Sequence, residues 1–226
     1  MTKSKQDPIK LEFSDKYNRE HSQQYYEKHQ DGLMRKLSHS RDVQLARKAL
    51  KIAGNPQQVL DLPCGAGRFW PLLAENPTRK IIGADNSADM VAIATENCPK
   101  DIAAQFTTMQ TSAFAIDLPD GAVDNIFSMR LMHHIGQAEH RVAMLKEFHR
   151  VSRDTVILSL WVDGNLKAYK RKKLEAKRSK QGDQNRFVIP VKQIEQDFAQ
   201  AGFSVVDYLD FIPYYAMWRV YILRKK

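Results

Sequence analysis

At 226 residues, 43% hydrophobic and 9% aromatic, the chain is long for one small domain, short for two full ones, and too apolar for global disorder. Lys and Arg total 35 against 26 Asp and Glu, a net charge of +9, while no apolar run approaches the roughly 20 residues of a membrane span. The start, "MTKSKQDPIKLEFSDKYNREH", has no apolar stretch like that of a signal peptide. The two cysteines, Cys64 and Cys98, fall in no CxxC or Cys/His pattern, which points away from zinc and toward a reduced, cytoplasmic protein.

In chain order, residues 1–10 are polar, and residues 11–52 read as two helices broken at Asp31-Gly32, the second ending near Gly54-Asn55-Pro56. Strand-like runs follow at 58–62, 80–85, 104–109, 123–129 and 155–161, with helix-like stretches at 68–74, 87–97 and 139–151 between them. In the last of these Val142, Leu145 and Phe148 share a stripe, and Ser87 suits the N-cap of the middle one. Strands alternating with helices predict βαβ units and a parallel sheet covered on both faces.

Leu166 to Lys180 then carries eight basic residues against one acid, Glu175, so this stretch is +7 and the rest of the chain only +2. Its cations fall all round any helix, so it is not a buried element. It reads as a solvated arm or as a contact for an anionic acceptor or surface. A helix over "PVKQIEQDFAQAGF", with proline in its first turn and Gly202 beyond it, follows. Two strand-like runs, "FSVVDYLDF" and "MWRVYILRK", close the chain, and their short connection predicts an antiparallel hairpin. Tyr214, Tyr215 and Trp218 either edge a pocket or pack that hairpin.

The stretch "VLDLPCGAGRF" (59–69) is a buried strand running into a glycine-rich turn and a helix, a geometry that brings backbone N–H groups close to a ligand. Asp85 ends the next strand 20 residues after Gly65, where a carboxylate accepts hydrogen bonds from a ribose. A dinucleotide fingerprint needs a third glycine where Trp70 stands, and a P-loop needs a Lys-Ser or Lys-Thr that is absent. A ligand with a ribose but no such phosphate remains.

On these residues the chain resembles the class I S-adenosylmethionine-dependent methyltransferases, in their small-molecule branch. "VLDLPCGAGRF" is similar to motif I, V-L-D-x-G-x-G-x-G, and "IIGADNSADM" to the second motif. "IDLPDGAVDNIFSMRLMHHI" resembles the family stretch "LPFPDGSFDVVVSxxxLHHI", and the likeness covers about residues 57–161. The resemblance implies a doubly wound, Rossmann-like α/β fold with a seven-stranded, mostly parallel sheet, an antiparallel C-terminal hairpin and N-terminal helices. It divides the chain into an N-terminal helical extension or lid (1–54) and a methyltransferase domain (55–226) with a basic insertion at 164–186.

The resemblance also implies a site for S-adenosylmethionine, with S-adenosylhomocysteine as by-product. Gly65, Ala66 and Gly67 would pass the methionine part and Asp61 would help hold its amino group. Asp85 would accept from the ribose, Asn86 and Met90 would flank the adenine, and Ser112, Ala113 and Phe114 would meet its edge. Met129 and Arg130 would line the methionine side. Pro63 replaces the motif's first glycine; lacking an N–H and fixed near φ −65°, it suits a place needing neither that donor nor positive φ, and stiffens the strand exit. Ser112 stands where many relatives have Asp.

Methyl transfer from a sulfonium relies chiefly on positioning. His133 and His134 are the candidates for proton removal, and Asp124 reads as structural. The expected activity is methylation at O or N of a small or medium acceptor, a metabolite, saccharide or lipid-type molecule, with anionic groups suiting the basic insertion. An RNA-directed enzyme using that insertion, and a cofactor-binding protein without catalysis, are the alternatives.

Overall fold

The computed structural model describes Ile9, residues 32–176 and residues 185–226. The helix expected before Asp31 and residues 177–184 of the basic insertion lie outside the described residues. The elements are α1 (Leu33–Ile52), β1 (Gln58–Asp61), α2 (Trp70–Leu73), β2 (Lys80–Asp85), α3 (Ala88–Glu96), β3 (Phe106–Gln110), β4 (Val123–Ser128), α4 (Ala138–Val151) and β5 (Ser152–Trp161). Then come α5 (Leu166–Ala176), α6 (Val191–Gln200), β6 (Phe203–Asp210) and β7 (Trp218–Lys225).

The seven strands form one sheet in the order β3-β2-β1-β4-β5-β7-β6. All pairs among the first five are parallel, and β7 runs antiparallel to both β5 and β6. The expected doubly wound sheet and terminal hairpin are therefore present, with β7 inserted between β5 and the edge strand β6. The winding reverses between β1 and β4. In open α/β sheets that reversal leaves a crevice at the carboxyl ends of the strands, where ligands bind.

Period-2 alternation sorts the strand residues onto two faces. Leu60, Ile126, Val156 and Leu158 pack with Met144, Leu145 and Phe148 of α4 and Ile194 and Phe198 of α6. Their neighbours Val59, Phe127, Ile157 and Ile222 pack on the other face with Leu45, Ala46, Ala49 and Leu50 of α1. The stripe predicted on α4 is the buried one. A buried ion pair joins α4 to α6: Arg141 Nε donates to Asp197 Oδ2 at 2.7 Å, and Arg141 Nη1 donates to the carbonyls of Ile135 and Gly136.

Several boundaries differ from expectation. The helix expected at 68–74 is only Trp70–Leu73, because Arg68 and Phe69 still belong to the glycine turn. A 3-10 turn, Ala103–Gln105, delays the third strand to Phe106. The fifth strand begins at Ser152, directly on the end of α4. The Ser152 hydroxyl donates to the Phe148 carbonyl at 2.7 Å there, so helix passes to strand without a loop. The start of the basic insertion is the helix α5. Among the described residues no helix is long and apolar enough to cross a membrane.

Candidate functional site

The chain leaves β1 under tight backbone control. Leu62 N–H donates to the Phe127 carbonyl and Cys64 N–H to the Ala84 carbonyl, tying the turn to β4 on one side and β2 on the other. The Leu62-Pro63 peptide is cis. Gly65 (φ 52°) and Gly67 (φ 74°) then take the left-handed backbone that glycine adopts without steric cost. A Cβ built on Gly65 meets nothing within 4 Å, so its backbone faces open space.

Asp85 braces this turn from the end of β2. Its Oδ2 accepts from Gly65 N–H and its Oδ1 from Ser87 N–H, both at 3.0 Å. Burial pushes the Asp85 carboxyl above the usual range, and those N–H donors offset part of that rise. The Ser87 hydroxyl accepts from Met90 N–H and caps α3 as expected.

Beyond the turn lies a cavity of about 470 Å³, within the usual range for small-molecule sites. Its walls come from the segments that follow β1, β2, β3 and β4, with Trp218 at the start of β7. Pro63, Gly65, Ala66, Asp85, Asn86, Met90, Ser112, Ala113, Phe114, Met129 and Arg130 all line it, as do His133 and His134. Asp61 and Gly67 do not. Asp61 is 1% exposed and accepts from the Trp70 indole N–H at 3.2 Å. Burial holds its carboxyl well above the usual range. Gly67 lies against the same indole, so both residues sit beneath the turn and shape it from behind.

Trp70, read from sequence as too bulky for a dinucleotide turn, fills the space beside the β2 glycine. A Cβ on Gly83 would stand 2.5 Å from Trp70 Cζ2, and the indole stacks on Phe106 with ring centroids 4.5 Å apart. Asp124 sits at the opposite, amino-terminal edge of the sheet, accepting from Gln57 and Gln58 N–H and pairing with Arg153. That placement agrees with a structural role.

The β4 side of the cavity is cationic and aromatic. Arg130 holds a left-handed backbone (φ 66°) that is strained for a side chain of its size. Its N–H donates to the Ser159 hydroxyl at 2.8 Å, and its guanidinium lies 4.9 Å from the Trp218 ring centroid. Asp42 of α1 is buried and accepts from both Arg130 Nη2 and Arg68 Nη2, while Arg68 Nε donates to His39 Nδ1. Arg68 and Arg186 belong to the wall and were not among the expected site residues, while Trp218, weighed as a pocket edge, lines the cavity. Arg68 carries a signal, since it directly follows the glycine turn. Asp42 carries none: only tertiary packing brings α1 to the ends of β1 and β4. Tyr214, weighed with Trp218 as a pocket edge, is 88% exposed.

His133 is 3% exposed, with the rings of His134, Trp218 and Trp161 at centroid distances of 4.1, 4.7 and 5.1 Å. Its Nδ1 is buried without a hydrogen-bond partner. Burial, reinforced by His134 and by the cations of Arg186, Arg130 and Arg171, pushes its pKa down to about 2. Burial also lowers the His134 pKa, against the raising effect of its Nδ1 contact with the Asn185 carbonyl. Both imidazoles are therefore held toward the neutral form at physiological pH.

Comparison with known proteins agrees with this geometry. A family model described as a methyltransferase domain matches residues 59–155. The mouse tRNA (carboxymethyluridine(34)-5-O)-methyltransferase ALKBH8 is 31% identical over 139 residues, 60% of this chain and 19% of the relative. The 2-methyl-6-phytyl-1,4-hydroquinone methyltransferase of Synechocystis sp. is 32% identical over 100 residues, 44% of this chain and 30% of the relative. The chain thus spans less than a third of the length of either relative. In fold it is similar to the magnesium protoporphyrin IX methyltransferase of Synechocystis PCC 6803, solved with bound S-adenosylhomocysteine, at a TM-score of 0.76 and 20% identity over 94% of this chain and 97% of that one. The matched methyltransferase domain spans the glycine turn, Asp85 and the β4 segment, so residues 59–155 are similar to the S-adenosylmethionine-dependent methyltransferases.

Proposed function

We propose that the protein transfers a methyl group from S-adenosylmethionine to an oxygen or nitrogen of an anionic acceptor of small or medium size. One observation carries this reading. A single cavity runs across the switch point from the Asp85 carboxylate, between β1 and β2, to the arginines and neutral imidazoles beyond β4.

The residues present fit the donor. Asp85 has lone pairs left after its two N–H contacts, enough to accept from two ribose hydroxyls. Met90, Ala113 and Phe114 offer apolar surface for the adenine, and the Ser112 hydroxyl a polar edge. Gly65 leaves open space where any side chain would intrude. When bound, the donor supplies a methyl group already activated on a sulfonium. The protein's own contribution is to align the acceptor, exclude water and compensate charge. Arg130 and Arg186 attract an anionic acceptor to the β4 side. Residues 1–54 serve as a cover in this reading, supported by Ile9 in the cavity wall and by the grip of Asp42 on two wall arginines.

A second reading, an acceptor borne on RNA, is favoured by the surface of α5. There Lys173 lies over the exposed ring of Tyr169 and Lys167 over that of Tyr215, a mixture of cations and aromatic rings that suits nucleic acid. The activity of the mouse relative on a tRNA points the same way. Incubation with radiolabelled methyl donor and fractionated cell extract separates the two: label in the low-molecular-mass filtrate supports the first reading, and label in the RNA fraction the second. Material that binds the donor and labels no fraction contradicts both.

A further inference from the structure

Exposed apolar side chains are unevenly spread over the molecule. Of the eleven large ones among the described residues, six (Leu166, Tyr169, Leu174, Ile212, Tyr214 and Tyr215) belong to α5 and to the turn between β6 and β7. The two segments are joined: Leu166 N–H donates to the Tyr214 carbonyl at 2.9 Å and Lys167 N–H to the Tyr215 carbonyl at 3.0 Å. Because β5 ends at Trp161 and β7 begins at Trp218, paired with it, both segments stand at the carboxyl edge of the sheet, beside the cavity wall. A grouped apolar surface of this kind marks a contact with something other than water.

Helical spacing decides what α5 presents. Ala168, Arg171 and Glu175 share the inward stripe: Ala168 is buried, and Arg171 lies over Trp161, 4.9 Å from its ring centroid, and pairs with Glu175. Leu166, Tyr169, Lys170 and Lys173, spaced i, i+3, i+4 and i+7, form the outward stripe, and all are exposed. Lys173 Nζ stands 4.6 Å from the Tyr169 ring centroid and Lys167 Nζ 5.3 Å from that of Tyr215. Each lysine stem thus follows apolar surface while its head stays in water. Lys167, Lys170, Lys172 and Lys173 are all exposed, and residues 166–174 and 212–215 contain no acid.

Cations and rings alone would serve RNA as well as a lipid surface, and the aliphatic groups discriminate. Leu166, Leu174 and Ile212 gain nothing against a sugar–phosphate backbone, whereas the acyl boundary of a bilayer takes them out of water. Tyrosine settles at headgroup depth. The outward cations are lysines, point charges that answer a diffuse negative surface, while Arg171, with the fork that reads phosphates and bases, is turned onto Trp161. We infer that α5 and the 212–215 turn form a docking surface for an anionic lipid bilayer. The lysines draw the protein to the headgroups, Leu166, Leu174 and Ile212 enter the acyl boundary, and the tyrosines rest between. Docking of this kind does not depend on the transfer reaction, and it sets the cavity wall of Arg186 and Trp218 beside the membrane.

Co-sedimentation of the full chain with lipid vesicles at about 0.1 M salt tests this. Vesicles of phosphatidylcholine are compared with an equal mixture of phosphatidylcholine and phosphatidylglycerol, and binding to a single-stranded RNA oligonucleotide is measured in parallel. The expected result is partitioning into the anionic vesicles on the order of tenfold or more above the neutral ones. Lys170→Glu with Lys173→Glu should abolish that preference. Leu174→Ser, which leaves the charge unchanged, should weaken partitioning into the anionic vesicles by roughly threefold or more. All three positions are exposed, and circular dichroism verifies the fold of each variant. Equal partitioning into both vesicles, or none into either, overturns the inference. Partitioning unmoved by Leu174→Ser overturns it too, because charge alone would then hold the protein. RNA binding that the lysine variant loses, with no vesicle binding, assigns the surface to nucleic acid instead.

Discussion

Asp85 and His133 mark the two ends of the cavity, and burial disfavours the charged form of both. Asp85 is buried, and backbone N–H donors offset part of the rise that burial imposes on its carboxyl. Replacing it with alanine should weaken calorimetric affinity for S-adenosylhomocysteine by about 1.5–3 kcal/mol, the scale of a hydrogen bond to a charged group. Unchanged affinity would take Asp85 out of the site. His133 has no such compensation and stays neutral far below its ordinary 6.5. As pH falls from about 6.5 toward 2, the unfolded chain binds a proton that the folded chain refuses, so stability is lost on the acid side, by at most about 1.4 kcal/mol per pH unit. His133→Phe should flatten the urea midpoint measured between about pH 6.5 and pH 5; a slope equal to that of the parent protein would show that the imidazole is protonated in the fold. Asp85 was legible in the sequence because a strand-end acid has a fixed distance from the glycine turn. The burial of His133 was not, since it depends on Trp161 and Trp218 from two strands that meet only in the sheet.

Between elements, the contacts that shape the site are made by size and charge. Trp70 occupies the volume that a side chain at Gly83 would take, and Gly83→Ala should destabilise the fold by about 1–3 kcal/mol as an overpacked core does. A chemical denaturation midpoint that does not move would mean that the indole relocates freely. The ion pair between α4 and α6 behaves differently. Arg141→Met strands the Asp197 charge in the interior and should cost about 3–5 kcal/mol, much of which the Arg141→Met, Asp197→Leu double variant should recover. A double variant as unstable as the single one would contradict that assignment. Periodicity made the strands and the buried stripe of α4 readable, because each pattern repeats within one segment. The boundaries that shifted did so for local reasons: the glycine turn consumes Arg68 and Phe69, and Ser152 closes helix onto strand by its own hydroxyl.

Across the molecule, the strand order is what brings residues 62–69, 85–90, 112–114 and 129–134 to one edge of the sheet, with Trp218 beside them. The family motifs announced most of these segments, because each follows a strand whose pattern is plain. Pro63 fits among them, lining the cavity at a position that asks for no N–H. The arginine cluster around Asp42 stayed hidden, since α1 and the loop after β4 lie 88 residues apart and neither carries a pattern that names the other. The same holds for the grouping of Arg130, His133, His134 and Trp218, which exists only once β4, β5 and β7 are adjacent. The central claim is that the bend at Gly65 and Gly67, with the carboxylate beside it, receives S-adenosylmethionine. Isothermal calorimetry of the folded full chain with S-adenosylhomocysteine tests it most directly. Saturable one-to-one binding, weakened in Asp85→Ala, is the result predicted; no heat of binding on material whose fold is verified by circular dichroism would contradict it.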